Sequence, residues 1–428
     1  MPNPPSIWLR SLAFGIRWAP LAWLLGISEP FTALTAVAAG MSLLRDRPRR
    51  FPIAALSITG FMLLGIVGVL GAFARGEPTD RVVAAVFNLA VWAIGFAVWL
   101  TVRRDASREA RKVLLRSIRA AGLWAAGAAV VTAFAWGLGE RRITFTTPLA
   151  AALPDSVHAV MPAILTSAVK PVVFRVDWLL GEAVPRLQAF HPYPNALALA
   201  AGLALVAQLA LYERDRTMSR RARFGRRVTT GLLVFTLVLT WSRAILIAFA
   251  ATAAVAWLLQ SAPARARTFV AALLVWLATV GMAIVVLNPS IGVETMAGVG
   301  DARSGSTATR LNLYAITWQL ALERPWLGSG IKPRLESSSI PVGSHSTVLG
   351  TALKFGVFGV AIVAAWAVVL GLRSARLLVS GDRERQAIAV GVLMVLAWSL
   401  IEDLDAPIVA AVQAFTVIGL ASHRDDPS

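Results

Sequence analysis

Residues 195–227 read NALALAAGLALVAQLALY and then ERDRTMSRRARFGRR. An apolar run close to the length that crosses a bilayer passes straight into a connector with seven arginines. Short basic connectors stay on the cytoplasmic side of a membrane. This one stretch therefore sets the sidedness of the span before it and, by counting, of its neighbours.

Working outward, apolar runs of spanning character lie at roughly 11–28, 30–44, 51–74, 82–102, 120–138, 195–212, 228–242, 244–260, 268–288, 346–371, 387–401 and 407–421. RDRPRR follows the second of these, RRDASREARKVLLRSIR the fourth, ARAR the eighth and RSARLLVSGDRERQ the tenth. Each, like the 213–227 connector, follows an even-numbered span, as the positive-inside rule requires when both termini are cytoplasmic. The apolar run Val157–Phe174 breaks the count if it crosses, because 213–227 would then lie outside. It is expected to be an external helix or a re-entrant piece packed on the protein. The first run follows only Arg10, is interrupted by Arg17 and has no small-residue cleavage site behind it, so it reads as a retained span. The expected fold is all-α and polytopic, with about twelve transmembrane helices forming a single integral membrane domain over residues 1–428. Two long external (periplasmic) segments, about 139–194 and 289–345, carry interfacial helices.

Composition agrees. The 428 residues are 57% hydrophobic and 15% charged, with mean hydropathy +0.68, against roughly a quarter charged in soluble domains. The net charge of +18 sits largely in short connectors, which favours anionic lipid over nucleic acid as its partner. With no cysteine, disulfides, thiol nucleophiles and thiolate metal sites are excluded. His158, His191, His345 and His423 are not spaced as metal ligands, and no Walker loop, dinucleotide fingerprint or HExxH occurs. Tryptophans such as Trp18, Trp136, Trp241 and Trp326 fall near span ends, where indoles anchor at the interface.

The anomaly is Asn288–Lys354, NPSIGVETMAGVGDARSGSTATRLNLYAITWQLALERPWLGSGIKPRLESSSIPVGSHSTVLGTALK. It is external on the count above, yet it holds Arg303, Arg310, Arg324, Lys332 and Arg334, where the positive-inside rule should deplete them. Arg243 is squeezed into the short turn TWSRA between two spans, with little water around it, and should face an anion or a carboxylate. Such a set suggests an anionic ligand. Arg310 opens a run in which Leu313, Ile316 and Leu320 repeat at helical spacing, fitting an amphipathic helix that ends before Pro325. His345 stands where the next span begins. The helix macrodipole there opposes protonation of imidazole, favouring a neutral ring that can accept a proton; capping among Gly343, Ser344 and Ser346 is the structural alternative. His191, in AFHPYPNALA, reads as structural beside Pro192 and Pro194. Lys354, about two turns inside the span on the face of Gly350, Thr351 and Val357, needs a partner, which Glu402, Asp403 or Asp405 of LIEDLDAP can supply. Asp403 and Asp405 also form the chain's only DxD, a pattern that holds metal in some glycosyltransferases; pairing with lysine is the competing reading.

WSRAILIAFA, then GSTATRLNLYAITWQLALERPWLGSGIKP, then GSHSTVLGTALKFGVFG, flanked by FHPYPNALALA and WSLIEDLDAP, resembles the bacterial O-antigen ligase/polymerase family over roughly residues 190–410. The family pattern often has Asn after the histidine, where this chain has Ser346. The resemblance implies a GT-C type membrane glycosyltransferase acting on the external face of the bacterial cytoplasmic (inner) membrane. It would move a glycan from an undecaprenyl-diphosphate donor to a lipid-core or glycan acceptor hydroxyl, without metal or other cofactor and with inversion. His345 is then the base, Arg243 and Arg310 clamp the diphosphate, Lys332 and Arg334 are further phosphate contacts, and Lys354, Glu402, Asp403 and His191 support them. Diphosphate leaves without a general acid when cations stabilise it. Some polymerases of the family carry paired Arg-x10-Gly motifs in their external loops. No external arginine here has glycine at that spacing, which tilts the reading to ligase over polymerase. A lipid-linked glycan flippase is the alternative from another class, but transporters place polar sites near the bilayer midplane, whereas the ionisable groups here gather at the external rim.

Overall fold

The computed structural model describes residues 5–45, 53–154, 169–179, 182–211, 219–261, 263, 304–334 and 341–423. Among them thirteen helices and three strands alternate in a mostly helical protein. The helices are α1 (Ile7–Leu25), α2 (Ser28–Arg45), α3 (Ile53–Ala74), α4 (Thr79–Asp105), α5 (Arg108–Gly137), α6 (Pro148–Ala152), α7 (Pro194–Ala210), α8 (Arg220–Leu239), α9 (Arg243–Ser261), α10 (Ser304–Glu323), α11 (Thr347–Leu378), α12 (Arg383–Ser399) and α13 (Ile408–Ser422). The strands are β1 (Arg142–Thr144), β2 (Val172–Leu179) and β3 (Glu182–Leu187). Four helices among the described residues, α3 from Leu56, α4, α5 and α11, are long and apolar enough to cross a membrane. The expected span 268–288 lies outside the described residues; the other eleven each coincide with a helix.

The centre is built on α7 and α13. Every residue of α13 and all but Leu209 of α7 are buried, as expected of helices apolar all round. Small residues bring neighbours close: a Cβ on Gly122 of α5 would fall 2.2 Å from the Ala204 Cβ of α7, the kind of backbone approach that membrane bundles use. Pro407 has no side chain with which to cap α13, and the buried Glu29 carboxylate of α2 accepts the Ile408 N–H instead at 2.9 Å. Hydroxyls do the same where basic connectors turn into helix. Ser107 and Ser219 accept the N–H groups of Ala110 and Ala222, so α5 and α8 begin inside their arginine-rich stretches, well before the apolar runs.

These connectors gather at one end of the bundle. Arg104 donates to the Ser42 carbonyl, Arg111 meets Glu384 at 3.1 Å, and Arg373 reaches the carbonyls of Ala421 and His423, while His423 Nδ1 bonds the Arg103 carbonyl. The candidate site lies toward the other end: Trp92, which contacts it, is twelve residues from Arg104 along α4, about 18 Å at 1.5 Å per residue.

Two expectations are corrected. The chain is not purely α: β1, β2 and β3 form a three-stranded antiparallel sheet. The run Val157–Phe174, expected as an external helix or re-entrant piece, enters β2 at Val172, and residues 155–168 lie outside the described residues. The sheet's packed face carries the fully buried Phe174 and Leu187, and Leu187 is joined with Trp23, Ala129 and Leu239 in one apolar cluster over the ends of α1, α5 and α8. The alternation in VVFRVDWL was the available signal. Second, α11 is not continuous. Gly356 has φ 61° and ψ −159°, and the loop after α10 docks in the break. Ser329 N–H and Gly330 N–H donate to the Leu353 and Lys354 carbonyls (2.7 and 3.0 Å), and Val357 N–H donates to the Pro325 carbonyl (2.7 Å). The break turns Val357 outward, 47% exposed, away from the face it was expected to share with Lys354.

Candidate active site

The turn between α12 and α13 places three carboxylates in the interior: Glu402, Asp403 and Asp405 are 1%, 7% and 4% exposed. It is stitched to the start of α11 by Thr347, whose N–H and hydroxyl both donate to the Glu402 carbonyl (3.1 and 2.8 Å) and whose Oγ1 accepts the Leu404 N–H at 2.9 Å. Ser346 caps α11 through the Leu349 N–H. His345, just before the cap, is held at φ 68°, a left-handed conformation that costs a non-glycine residue of order 1 kcal/mol or more. Its carbonyl accepts the Tyr314 hydroxyl at 2.6 Å and its N–H donates to Asp403.

Glu402 is the hub. Its Oε2 lies 3.3 Å from His345 Nδ1, and its Oε1 accepts from Arg310 Nη2 at 2.7 Å and from the Asn195 side-chain amide. Burial alone would raise its pKa, but the His345 hydrogen bond and the Arg310 charge outweigh it and hold the carboxyl below its ordinary value. An ionised carboxylate can only accept, so His345 donates from Nδ1, and Nε2 is the ring nitrogen left for another partner. The His345 and Arg310 side chains are 28% and 27% exposed, whereas that of Glu402 is 1%. The carboxylate is interior, and the two groups it orients face outward.

Arg310 reaches this point because α10 turns one stripe inward: Leu313, Thr317 and Ala321 are buried on it, and Arg310 and Tyr314 share that face at helical spacing. Ile316 and Leu320, expected on the apolar face, are only half-buried. Thr317 also accepts the Gly343 N–H at 2.9 Å, fixing the chain just before His345.

A second cluster lies beside the first. Lys332 Nζ is 2.9 Å from Asp403 Oδ2 and 3.5 Å from Asp405 Oδ1, and Lys354 bonds Asp405 Oδ2, which also accepts the Trp92 indole N–H at 3.1 Å. Burial opposes ionisation of Asp405, but the two lysines hold its pKa well below the carboxylate range. Asp403 is pushed up, by burial first and then by its neighbour Asp405. For Lys332, burial is outweighed by the two aspartates and the ammonium is stabilised. The DxD pair is thus engaged with lysine, and of the three carboxylates considered for Lys354 it is Asp405 that meets it.

Arg243 opens α9, with its side chain outside the described residues, as is Arg303. Arg334 is exposed, so of the two further phosphate contacts Lys332 is in the cluster and Arg334 is not. His191 is buried, its Nδ1 has no hydrogen-bond partner among the described residues, and burial lowers its pKa to about 3, which suits a packing role.

Sequence reasoning missed Asn195, Tyr314, Thr347 and Arg186. Asn195 is one polar residue opening an apolar helix, and its other amide atom is bound in turn, Oδ1 accepting from Arg186 Nη2 at 3.2 Å. Asn195 thus brings an amide to this site from α7. Below the carboxylate turn an apolar cavity of about 330 Å³ opens between α9, α11 and α12, starting at Thr347, Thr351 and Leu404 and running past Val363 and Ala367.

A comparison with curated proteins gives no match. The model of the O-antigen ligase family matches residues 228–364, which include Arg243, Arg310, Lys332, His345 and Lys354 but not Asn195 or the carboxylate turn. With four helices among the described residues long and apolar enough to cross a membrane, this is a mostly helical membrane protein that carries over residues 228–364 a region similar to the O-antigen ligase family.

Proposed function

We propose that the protein is a ligase-type glycosyltransferase that moves a glycan from an undecaprenyl-diphosphate donor to an acceptor hydroxyl of lipid-core type, at the external face of the inner membrane. The observation that carries this reading is the Glu402-centred arrangement, in which a buried carboxylate orients one imidazole and one guanidinium toward an open surface. His345 Nε2 takes the proton of the acceptor hydroxyl as its oxygen forms the bond to the anomeric carbon. The bond from that carbon to the diphosphate oxygen breaks, and the electron pair leaves on the diphosphate. In this reading Arg310, Arg243 and Lys332 stabilise that charge, which removes the need for a general acid. Attack opposite the leaving group inverts the anomeric centre. The apolar cavity beneath the turn suits a stretch of polyprenyl chain.

Polymerisation of repeat units belongs to the same chemistry and differs only in the acceptor. The test combines purified protein, polyprenyl-diphosphate oligosaccharide and a lipid-core acceptor, with EDTA and no nucleotide. Wild type should glycosylate the acceptor, and His345→Ala should lose transfer while still binding donor. Lengthening of donor glycans without use of the acceptor would replace ligase by polymerase. Donor crossing proteoliposomes with no transfer of any kind would mean a flippase, and retention at the anomeric carbon in product NMR would overturn direct displacement.

A further inference from the structure

The small sheet sets three arginines in a row. Arg142 on β1 is paired directly with Arg175 on β2, and Arg175 with Arg186 on β3. Direct partners in an antiparallel ladder project from the same face, and adjacent strands are about 5 Å apart, so the row spans about 10 Å. The opposite face is the packed one, with Phe174 and Leu187 fully buried. Like charges directly opposite one another destabilise a strand pair, and packing does not require them here: Arg142 and Arg175 are exposed, and neither makes an ion pair among the described residues.

The inner end of the row is different. Arg186 Nη1 bonds Asp177 at 2.8 Å, its Nε bonds the Thr240 carbonyl at 3.1 Å, and its Nη2 bonds Asn195, which in turn bonds Glu402. Asp177 is thus already taken by Arg186, and Glu182 stands two strand pairs further along, opposite Leu179. Among the described residues the row carries two guanidinium groups without an ion-pair partner at its open end, and it runs through Arg186 and Asn195 to the hub of the candidate active site.

We propose that this sheet face binds an anionic saccharide, a phosphate- or carboxylate-bearing sugar of the acceptor glycan, and so presents the acceptor hydroxyl to His345. The inference rests on the glycosyl-transfer reading above. Guanidinium forks match phosphate and carboxylate oxygens bidentately, and the continuity of the row with Asn195 and Glu402 favours a substrate over bulk lipid headgroups.

The test uses the full-length protein in nanodiscs of neutral phosphatidylcholine. The probes are a fluorescent trisaccharide ending in a sugar phosphate and the same trisaccharide after phosphatase treatment. Arg142→Gln/Arg175→Gln should bind the phosphorylated probe about ten-fold or more weakly than wild type, the loss of at least one charge-assisted hydrogen bond. Binding of the neutral probe and transfer to a neutral acceptor should be unchanged. Equal weakening for both probes, or no weakening, overturns the proposal. So does unchanged saccharide binding with lost attachment to phosphatidylglycerol vesicles, which makes the face a lipid contact. If wild type transfers nothing while phosphorylated-probe binding still depends on the two arginines, the glycosyl-transfer reading and the acceptor role fail together, and saccharide binding stands.

Discussion

At the scale of single residues, Glu402 decides most. Glu402→Gln keeps the shape but replaces an acceptor-only carboxylate by an amide that no longer dictates the His345 tautomer. A loss of about 10²–10⁴ in kcat is expected, the range for an intact general base, with donor affinity changed little. A fall in affinity as large as the fall in kcat would mean that Glu402 acts through Arg310 alone. The pH dependence has a definite sign. The Glu402 pKa is depressed in the folded state, so its contribution to stability is fully present above the ordinary glutamate value of about 4.3 and is lost as pH falls through the lower folded value.

His191 gives a second, independent titration. Its folded pKa of about 3 lies below the unfolded value of about 6.5, so on acidification the unfolded chain takes up the proton first. Stability should fall by up to about 1.4 kcal/mol per pH unit between these values. His191→Leu should flatten that slope in thermal unfolding measured across pH; an unchanged slope would assign it to other groups.

At the scale of elements, the turn after α12 and the break in α11 hold the site in register. Lys354→Met leaves Asp405 buried with one lysine fewer, and breaking such a pair costs about 3–5 kcal/mol. Lys354→Met combined with Asp405→Leu should recover much of that stability, because an apolar pair replaces the ions at little cost. A double variant no more stable than the single one would show that the pair is needed for the turn itself. The break is as demanding. A Cβ at Gly356 would sit 2.3 Å from the Trp326 carbonyl oxygen, and one at Gly330 would sit 2.0 Å from the Gly68 carbonyl oxygen, with positive φ at both glycines. Strain from φ alone costs about 1–3 kcal/mol, so either alanine variant should lower the unfolding temperature and loosen the loop that carries Lys332. Unfolding temperatures equal to wild type would show that the loop shifts freely.

At the scale of the whole molecule, the sidedness read from the arginine connectors is open to direct measurement. Because the chain has no cysteine, single cysteines report without background. A cysteine at Ser380, between α11 and α12, should react with an impermeant thiol reagent only after the membrane is opened, and one at Glu140, beside the sheet, should react from outside. The reverse pattern would turn the protein over and place His345 in the cytoplasm.

What was legible in the sequence follows from local physics. A span must bury some twenty consecutive apolar residues, so hydropathy alone marked the helices; basic loops resist translocation, so their order implied a topology. Arg310 and His345 could be singled out because charge is costly where they stand. The pairing of Glu402 with His345 and Arg310, the choice of Asp405 for Lys354, and the part played by Asn195 could not be read, because these residues lie up to about two hundred positions apart and only the packing of α7, α10, α11 and the final turn brings them together. The row of arginines is the plainest case. Each is an ordinary residue in the chain, and only strand register makes them neighbours.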